Sequence, residues 1–100
     1  MNRGDIYSYQ SLGRTKLVLL VSSDEWTEQG APMTCELTEI PPSQSTPRGL
    51  LATPIPGHGH VVIRTLGSAD PARFIERRAV AESHVMDQVD MALRAALDLL

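Results

Sequence analysis

One hundred residues with 42% hydrophobic and 21% charged side chains suffice for one soluble domain, 1–100, with a modest core, and leave no room for a second domain. The net charge of −3 divides as −1 over residues 1–64 and −2 over residues 65–100, so neither part carries a basic stripe and nothing in the charge supports tight non-specific binding to a phosphate backbone. Four aromatic residues, Tyr7, Tyr9, Trp26 and Phe74, are too few for an extended base-stacking platform.

Apolar periodicity changes character along the chain. It has period 2, or runs continuously, to about Arg64 and takes a helical period at the end, which predicts an α+β fold. Ile6–Tyr9 reads as a first strand and Ser11-Leu12-Gly13 as a turn. Lys16-Leu17-Val18-Leu19-Leu20-Val21 is too short for a helix and reads as a central strand buried on both faces. Ser22-Ser23-Asp24 caps the end of that strand. Trp26–Pro32 is expected to be a loop, Met33–Thr38 a third strand stopped by Pro41-Pro42, and Ser43–Pro47 a polar loop. Leu50–Thr53 and His60–Arg64 are two more short strands, separated by a link rich in proline and glycine from Pro54 to Gly59. Asp70-Pro71 opens a single helical turn, with Asp70 as its cap, and Arg78–Val80 returns to a strand. Ser83 caps a last helix whose Met86, Val89, Leu93, Ala96, Leu97 and Leu100 form an apolar face. Asp87, Asp90, Arg94 and Asp98 face away, with Asp90 and Arg94 as an i,i+4 pair. Short strands at this spacing predict a small barrel with an amphipathic helix packed on it.

No apolar run reaches the roughly 20 residues of a membrane-spanning helix, and residues 1–9 lack the order of a signal peptide, so a cytoplasmic location and no membrane partner are expected. The single cysteine, Cys35, stands in an apolar–polar alternation that buries it as a small hydrophobe. His58-Gly59-His60 brings two imidazoles together, but four-ligand zinc spacing is missing, so no metal site and no cofactor are expected. Either histidine is a candidate general acid, because imidazole titrates near neutrality. No nucleophile elbow or phosphate-binding glycine loop is present. Arg14 and Lys16 begin the best strand and, two residues apart, point to one face. Such a cation pair facing a hydroxyl such as Thr38 would hold a phosphodiester, whereas unaided it reads more readily as charge blunting a strand end.

Arg3-Gly4-Asp5-Ile6-Tyr7, then Val18-Leu19-Leu20-Val21-Ser22-Ser23-Asp24, resembles the opening of MazF/PemK-type toxins of bacterial toxin–antitoxin modules. Val85–Leu93 is similar to the last helix of that family, and Asp70 with Arg73-Phe74 to its Asp-x-x-Arg-Leu segment. The resemblance implies a small SH3-like β-barrel of about five to seven strands with a C-terminal amphipathic helix, a homodimer and a cognate antitoxin peptide. It also implies growth arrest by metal-independent endoribonuclease cleavage of single-stranded RNA, leaving a 2′,3′-cyclic phosphate. By position the family's catalytic arginine and threonine become Lys16 and Thr38. Lysine lacks the planar fork, which assigns that contact to Arg14. Arg64, Arg48 and His60 are the expected RNA-binding residues. The chain departs from the family at Lys16, at Leu17 in place of a proline, and in a shorter first loop. That short loop and Tyr7-x-Tyr9 resemble the related CcdB toxins, which trap DNA gyrase without nuclease activity. A gyrase poison and an inert interaction domain of the same fold are the alternatives.

Overall fold

The structure, a computed structural model, describes residues 1–39 and 52–97. Among these residues six strands form one antiparallel sheet: β1 (Asp5–Ser11), β2 (Arg14–Leu20), β3 (Met33–Thr38), β4 (Ala52–Ile55), β5 (Gly59–Ser68) and β6 (Phe74–Val80), in the order β4-β5-β3-β2-β1-β6. A short helix, α1 (Asp24–Glu28), follows β2, a 3₁₀ turn (Pro71–Arg73) precedes β6, and α2 (Ser83–Ala96) ends the described chain. The sheet curls into a half-barrel. This is the expected α+β architecture of a small barrel with a C-terminal amphipathic helix.

β2 lies inside the sheet, between β1 and β3, and is covered on both faces, as its continuous apolar run predicts. Leu19 joins Ile6, Cys35, Val61 and Ile63 in the main core, where Val85, Met86 and Val89 of α2 pack on them. Val18 and Leu20 alternate to the opposite face and are also buried. There the crossover from β5 to β6 is tied down by the Ala69 N–H to the Pro32 carbonyl and by the Asp70 N–H to the Tyr9 hydroxyl. The rings of Tyr7 and Tyr9 each meet Phe74 edge-on at 5.3 Å, so three of the four aromatic side chains pack on one another.

The N-terminal Arg3-Gly4-Asp5 is a structural clamp. The Arg3 amide donates to the Asp24 carboxylate, its Nε to the Val21 carbonyl, and its guanidinium pairs with Asp90 on α2. Gly4, at φ +96°, donates to Leu20 and accepts from Ala81, a conformation that a side chain would strain.

Local expectations differ from the structure at several places. Trp26–Pro32 is not all loop: Ser23 caps α1, its hydroxyl accepting from the Trp26 N–H. Pro54 lies within β4, where an edge strand tolerates a missing donor, and Leu50 falls outside the described residues. β5 continues past Arg64 because a bulge absorbs the break: the Thr65 hydroxyl accepts from the Glu36 N–H and donates to the Val62 carbonyl. β6 begins at Phe74 rather than Arg78, as an edge strand with most of its side chains in solvent. The cap of α2 is Glu82, not Ser83, and makes no side-chain hydrogen bond. Asp90 pairs with distant Arg3, Val85 joins the apolar face, and Leu97 is exposed beyond the end of the helix. Asp98 and Leu100 fall outside the described residues.

Cys35 is fully buried, with its Sγ 3.9 Å from the Ile63 carbonyl oxygen, and burial pushes its thiol from 9.0 up to about 11. The unfolded chain therefore releases this proton at lower pH than the native protein. Stability from this group is complete below pH 9 and is lost as pH rises towards about 11, by an amount on the order of 2–3 kcal/mol. Urea unfolding of the native protein and of Cys35→Ala across that window is expected to show a steeper alkaline loss for the native protein; parallel curves would refute it.

Candidate active site

β1 and β2 are joined by the two-residue turn Leu12-Gly13, both at positive φ, which matches the twist of a tight hairpin. Arg14, opposite Ser11, stands exposed at its tip, and Lys16, opposite Tyr9, lies two residues further in on the same face. β3 leaves the sheet at Thr38. The β2–β3 ladder runs from Leu20–Thr34 to Val18–Glu36, so its continuation faces Lys16 with Thr38 just beyond the last paired residues. The strands part there, and a cleft of about 390 Å³ opens.

Lys16, Thr38, Glu39, His58 and Arg78 line this cleft, with the hydroxyl residues Ser8 and Thr15. These residues come from both margins of the sheet. Arg78 belongs to edge strand β6, and His58 to the turn between β4 and β5. Only the curl of the sheet brings them to one opening. Of the residues singled out in the sequence, Lys16 and Thr38 share the cleft, while Arg14 is not part of its lining. Arg64 is exposed along β5 and does not line it either. His60 pairs with Thr38 across the β3–β5 ladder, but its half-buried ring lies outside the lining, and its covered Nδ1 has no hydrogen-bond partner among the described residues. Arg48 falls outside the described residues.

Sequence reasoning missed Arg78, Glu39 and Glu36. Glu36 matters because it forms an ion pair with Lys16, whose Nζ also stands 5.7 Å from the centre of the Tyr9 ring. Both partners face a second cleft, of about 290 Å³, lined also by Thr65 and Arg73. Lys16 thus stands on the wall between two openings. The signal for Glu36 was present once strand register is known, because residues diagonal across two strands are within reach of long side chains. For Arg78 there was none, since β6 shows no burial alternation.

Gly59 holds the turn against β3. At φ +92°, it approaches Thr38 so closely that an added Cβ would stand 2.3 Å from the Thr38 carbonyl oxygen. His58, its neighbour, donates its backbone N–H to the Ile55 carbonyl at 3.0 Å, which closes the turn.

No protein-family model matches the chain, and no curated protein resembles it in sequence. Solved structures do resemble it in fold. A mycobacterial endoribonuclease in complex with its cognate antitoxin superposes with a TM-score of 0.87 at 17% identity, covering 100% of this chain and 97% of its own. MazF in a MazE–MazF complex from Deinococcus radiodurans gives 0.85 at 20% identity over 100% of this chain and 97% of its own. The Mycobacterium tuberculosis toxin MazF-mt6 gives 0.75 at 15% identity over 96% and 98%. The chain has the MazF-like fold.

The close approach of Gly59 yields a stability contrast with Gly57. Gly57 shares the positive φ, but nothing lies within 4 Å of an added Cβ. Gly57→Ala should cost about 1–2 kcal/mol from backbone strain. Gly59→Ala adds a backbone clash and should cost about 2–5 kcal/mol. Equal urea midpoints for the two variants would refute the contact.

Proposed function

We propose that this protein is the toxin of a toxin–antitoxin pair and acts as an endoribonuclease on single-stranded RNA. The observation that carries the reading is the meeting of Lys16 and Thr38 at one open cleft in a MazF-like fold. Three solved structures of that fold are an endoribonuclease with its antitoxin, MazF with MazE, and a MazF toxin. On this reading a cognate antitoxin peptide and a second copy of the chain are the protein partners, and cytoplasmic RNA is the substrate.

The reaction follows from what RNA supplies. The ribose 2′-oxygen attacks the adjacent phosphorus, the bond from phosphorus to the 5′-oxygen breaks, and the products are a 2′,3′-cyclic phosphate and a 5′-hydroxyl end. Negative charge builds on the non-bridging oxygens as the phosphorus becomes five-coordinate. A cation and a hydrogen-bond donor fixed beside those oxygens stabilise that state more than the ground state. Lys16 supplies the charge, reaching out of its pair with Glu36, and the Thr38 hydroxyl donates to a phosphoryl oxygen. Arg78 adds a second cation from the far margin of the same cleft. It takes the role expected of Arg14, which does not line the cleft.

Purified protein mixed with mixed-sequence RNA in EDTA is expected to yield fragments with 2′,3′-cyclic phosphate and 5′-hydroxyl ends. A 2′-deoxy substitution at the cut site should block cleavage. Lys16→Ala should lower the rate by roughly a hundredfold or more, the usual loss for one transition-state donor. Intact RNA at high protein excess, or cleavage only with added metal, overturns this function. Intact RNA together with inhibited gyrase supercoiling supports the gyrase-poison alternative instead.

A further inference from the structure

Two histidines flank Gly59, and the fold sends them to different places. His60 enters the β5 ladder, opposite Thr38 and Pro54. His58 remains in the turn, half-buried, and lines the Lys16–Thr38 cleft. Its position is constrained twice, by its own backbone hydrogen bond to Ile55 and by the contact of Gly59 with the Thr38 carbonyl. Its other side borders a smaller cleft with Glu82 and Val85.

RNA cleavage by the 2′-oxygen needs two proton movements. The 2′-hydroxyl must lose a proton as the new bond to phosphorus forms. The departing 5′-oxygen must gain one, because an alkoxide is a poor leaving group. Lysine and arginine hold their protons too tightly at neutral pH to serve as ready donors, whereas imidazole exchanges its proton there. Among the described residues lining the cleft, Glu39 is the single carboxylate and His58 the single imidazole. Their chemistries therefore divide the two transfers.

We propose that His58 is the general acid of this cleavage and Glu39 the acceptor of the 2′-hydroxyl proton, a step that rests on the ribonuclease function proposed above. The 2′-hydroxyl proton passes to the Glu39 carboxylate as the 2′-oxygen bonds to phosphorus. The bond from phosphorus to the 5′-oxygen then breaks, its electron pair stays on that oxygen, and the His58 imidazolium protonates it. Glu39 then loses its proton to water and His58 regains one, which resets the site. Lys16 and Arg78 remain charged throughout and face the phosphate.

The test uses the full chain and an oligonucleotide containing a cut site mapped with mixed-sequence RNA, made with either the normal 5′-oxygen or a bridging 5′-sulfur. A thiolate leaves without a proton, so it does not need the acid. His58→Gln should lower cleavage of the oxygen substrate by roughly a hundredfold or more, the usual contribution of general acid catalysis. It should leave cleavage of the sulfur substrate at the wild-type rate, a result that also shows the variant to be folded. Glu39→Gln should slow both substrates. An unaffected oxygen rate in His58→Gln, or equal losses on the two substrates, overturns the acid role while leaving the ribonuclease function standing. A Glu39→Gln variant as fast as wild type overturns the acceptor assignment. If the wild-type protein cuts no RNA, the ribonuclease function itself fails and the acid role falls with it.

Discussion

The candidate site depends on one contact between two backbones, Gly59 against the carbonyl of Thr38. Where β3 stops pairing with β2, its end is held from the β5 side alone, through the Leu37–Val61 and Thr38–His60 pairs. The β4–β5 turn tightens that hold by closing to a distance that no residue with a Cβ could share. That approach fixes Thr38, sets His58 beside it, and defines one wall of the cleft. Lys16 lies across the parting strands, and the curled sheet carries Arg78 round from the opposite margin. A flat sheet of the same order would keep β4 and β6 apart, so the twist inherent in strands is what gathers the residues.

The parts of the fold legible in the sequence are those where burial is sustained along an element. β2 shows as an apolar run because it is covered on both faces, and α2 shows because Met86, Val89 and Leu93 repeat at helical steps. The illegible parts have a shared physical cause, which is that their stabilisation is not local. α1 has five residues, fewer than two turns, and buries none of them, so no period can emerge. β6 is an edge strand stretched along β1, and Ile75, Glu76, Arg77 and Arg78 are all exposed. Its register with β1 shifts twice, and the Ser8 hydroxyl fills in by accepting from the Glu76 N–H, a device with no sequence signature of its own. Asp90 and Arg94 have the spacing of a helix-surface pair, yet Arg3 reaches Asp90 from the far end of the chain.

The most family-specific stretch of sequence, Arg3-Gly4-Asp5, turns out to hold the fold rather than perform chemistry. Arg3 and Gly4 join parts that would otherwise separate: the end of β2, the start of α1, the residue after β6, and α2. Gly4 is required by its positive φ and Arg3 by its reach and its several donors. Asp5 is buried with its carboxylate accepting from the Asn2 amide. A motif of this kind identifies a fold efficiently and says nothing about activity. The candidate catalytic residues, by contrast, are scattered at positions 16, 38, 39, 58 and 78, and the register and curl of the strands unite them.

If the site binds RNA as proposed, lysine at position 16 changes how it works, as well as how strongly it holds phosphate. An arginine would engage carboxylate or phosphate through a planar fork and stay where the fork fits. Lys16 is a point charge on a flexible stem, and its pair with Glu36 is partly open to water, with side-chain exposures of 25% and 41%. A pair so exposed is worth about 0–1 kcal/mol, little enough for a phosphodiester in the adjoining cleft to displace. The Tyr9 ring makes the resting position favourable without trapping it, because the 5.7 Å separation is near the outer limit of a useful cation–π contact. On the proposed function, the same ammonium can therefore sit in the Glu36 cleft when the protein is empty and turn to the Thr38 cleft when RNA enters. In this site the flexibility that costs lysine its geometric precision is what lets one cation serve two openings.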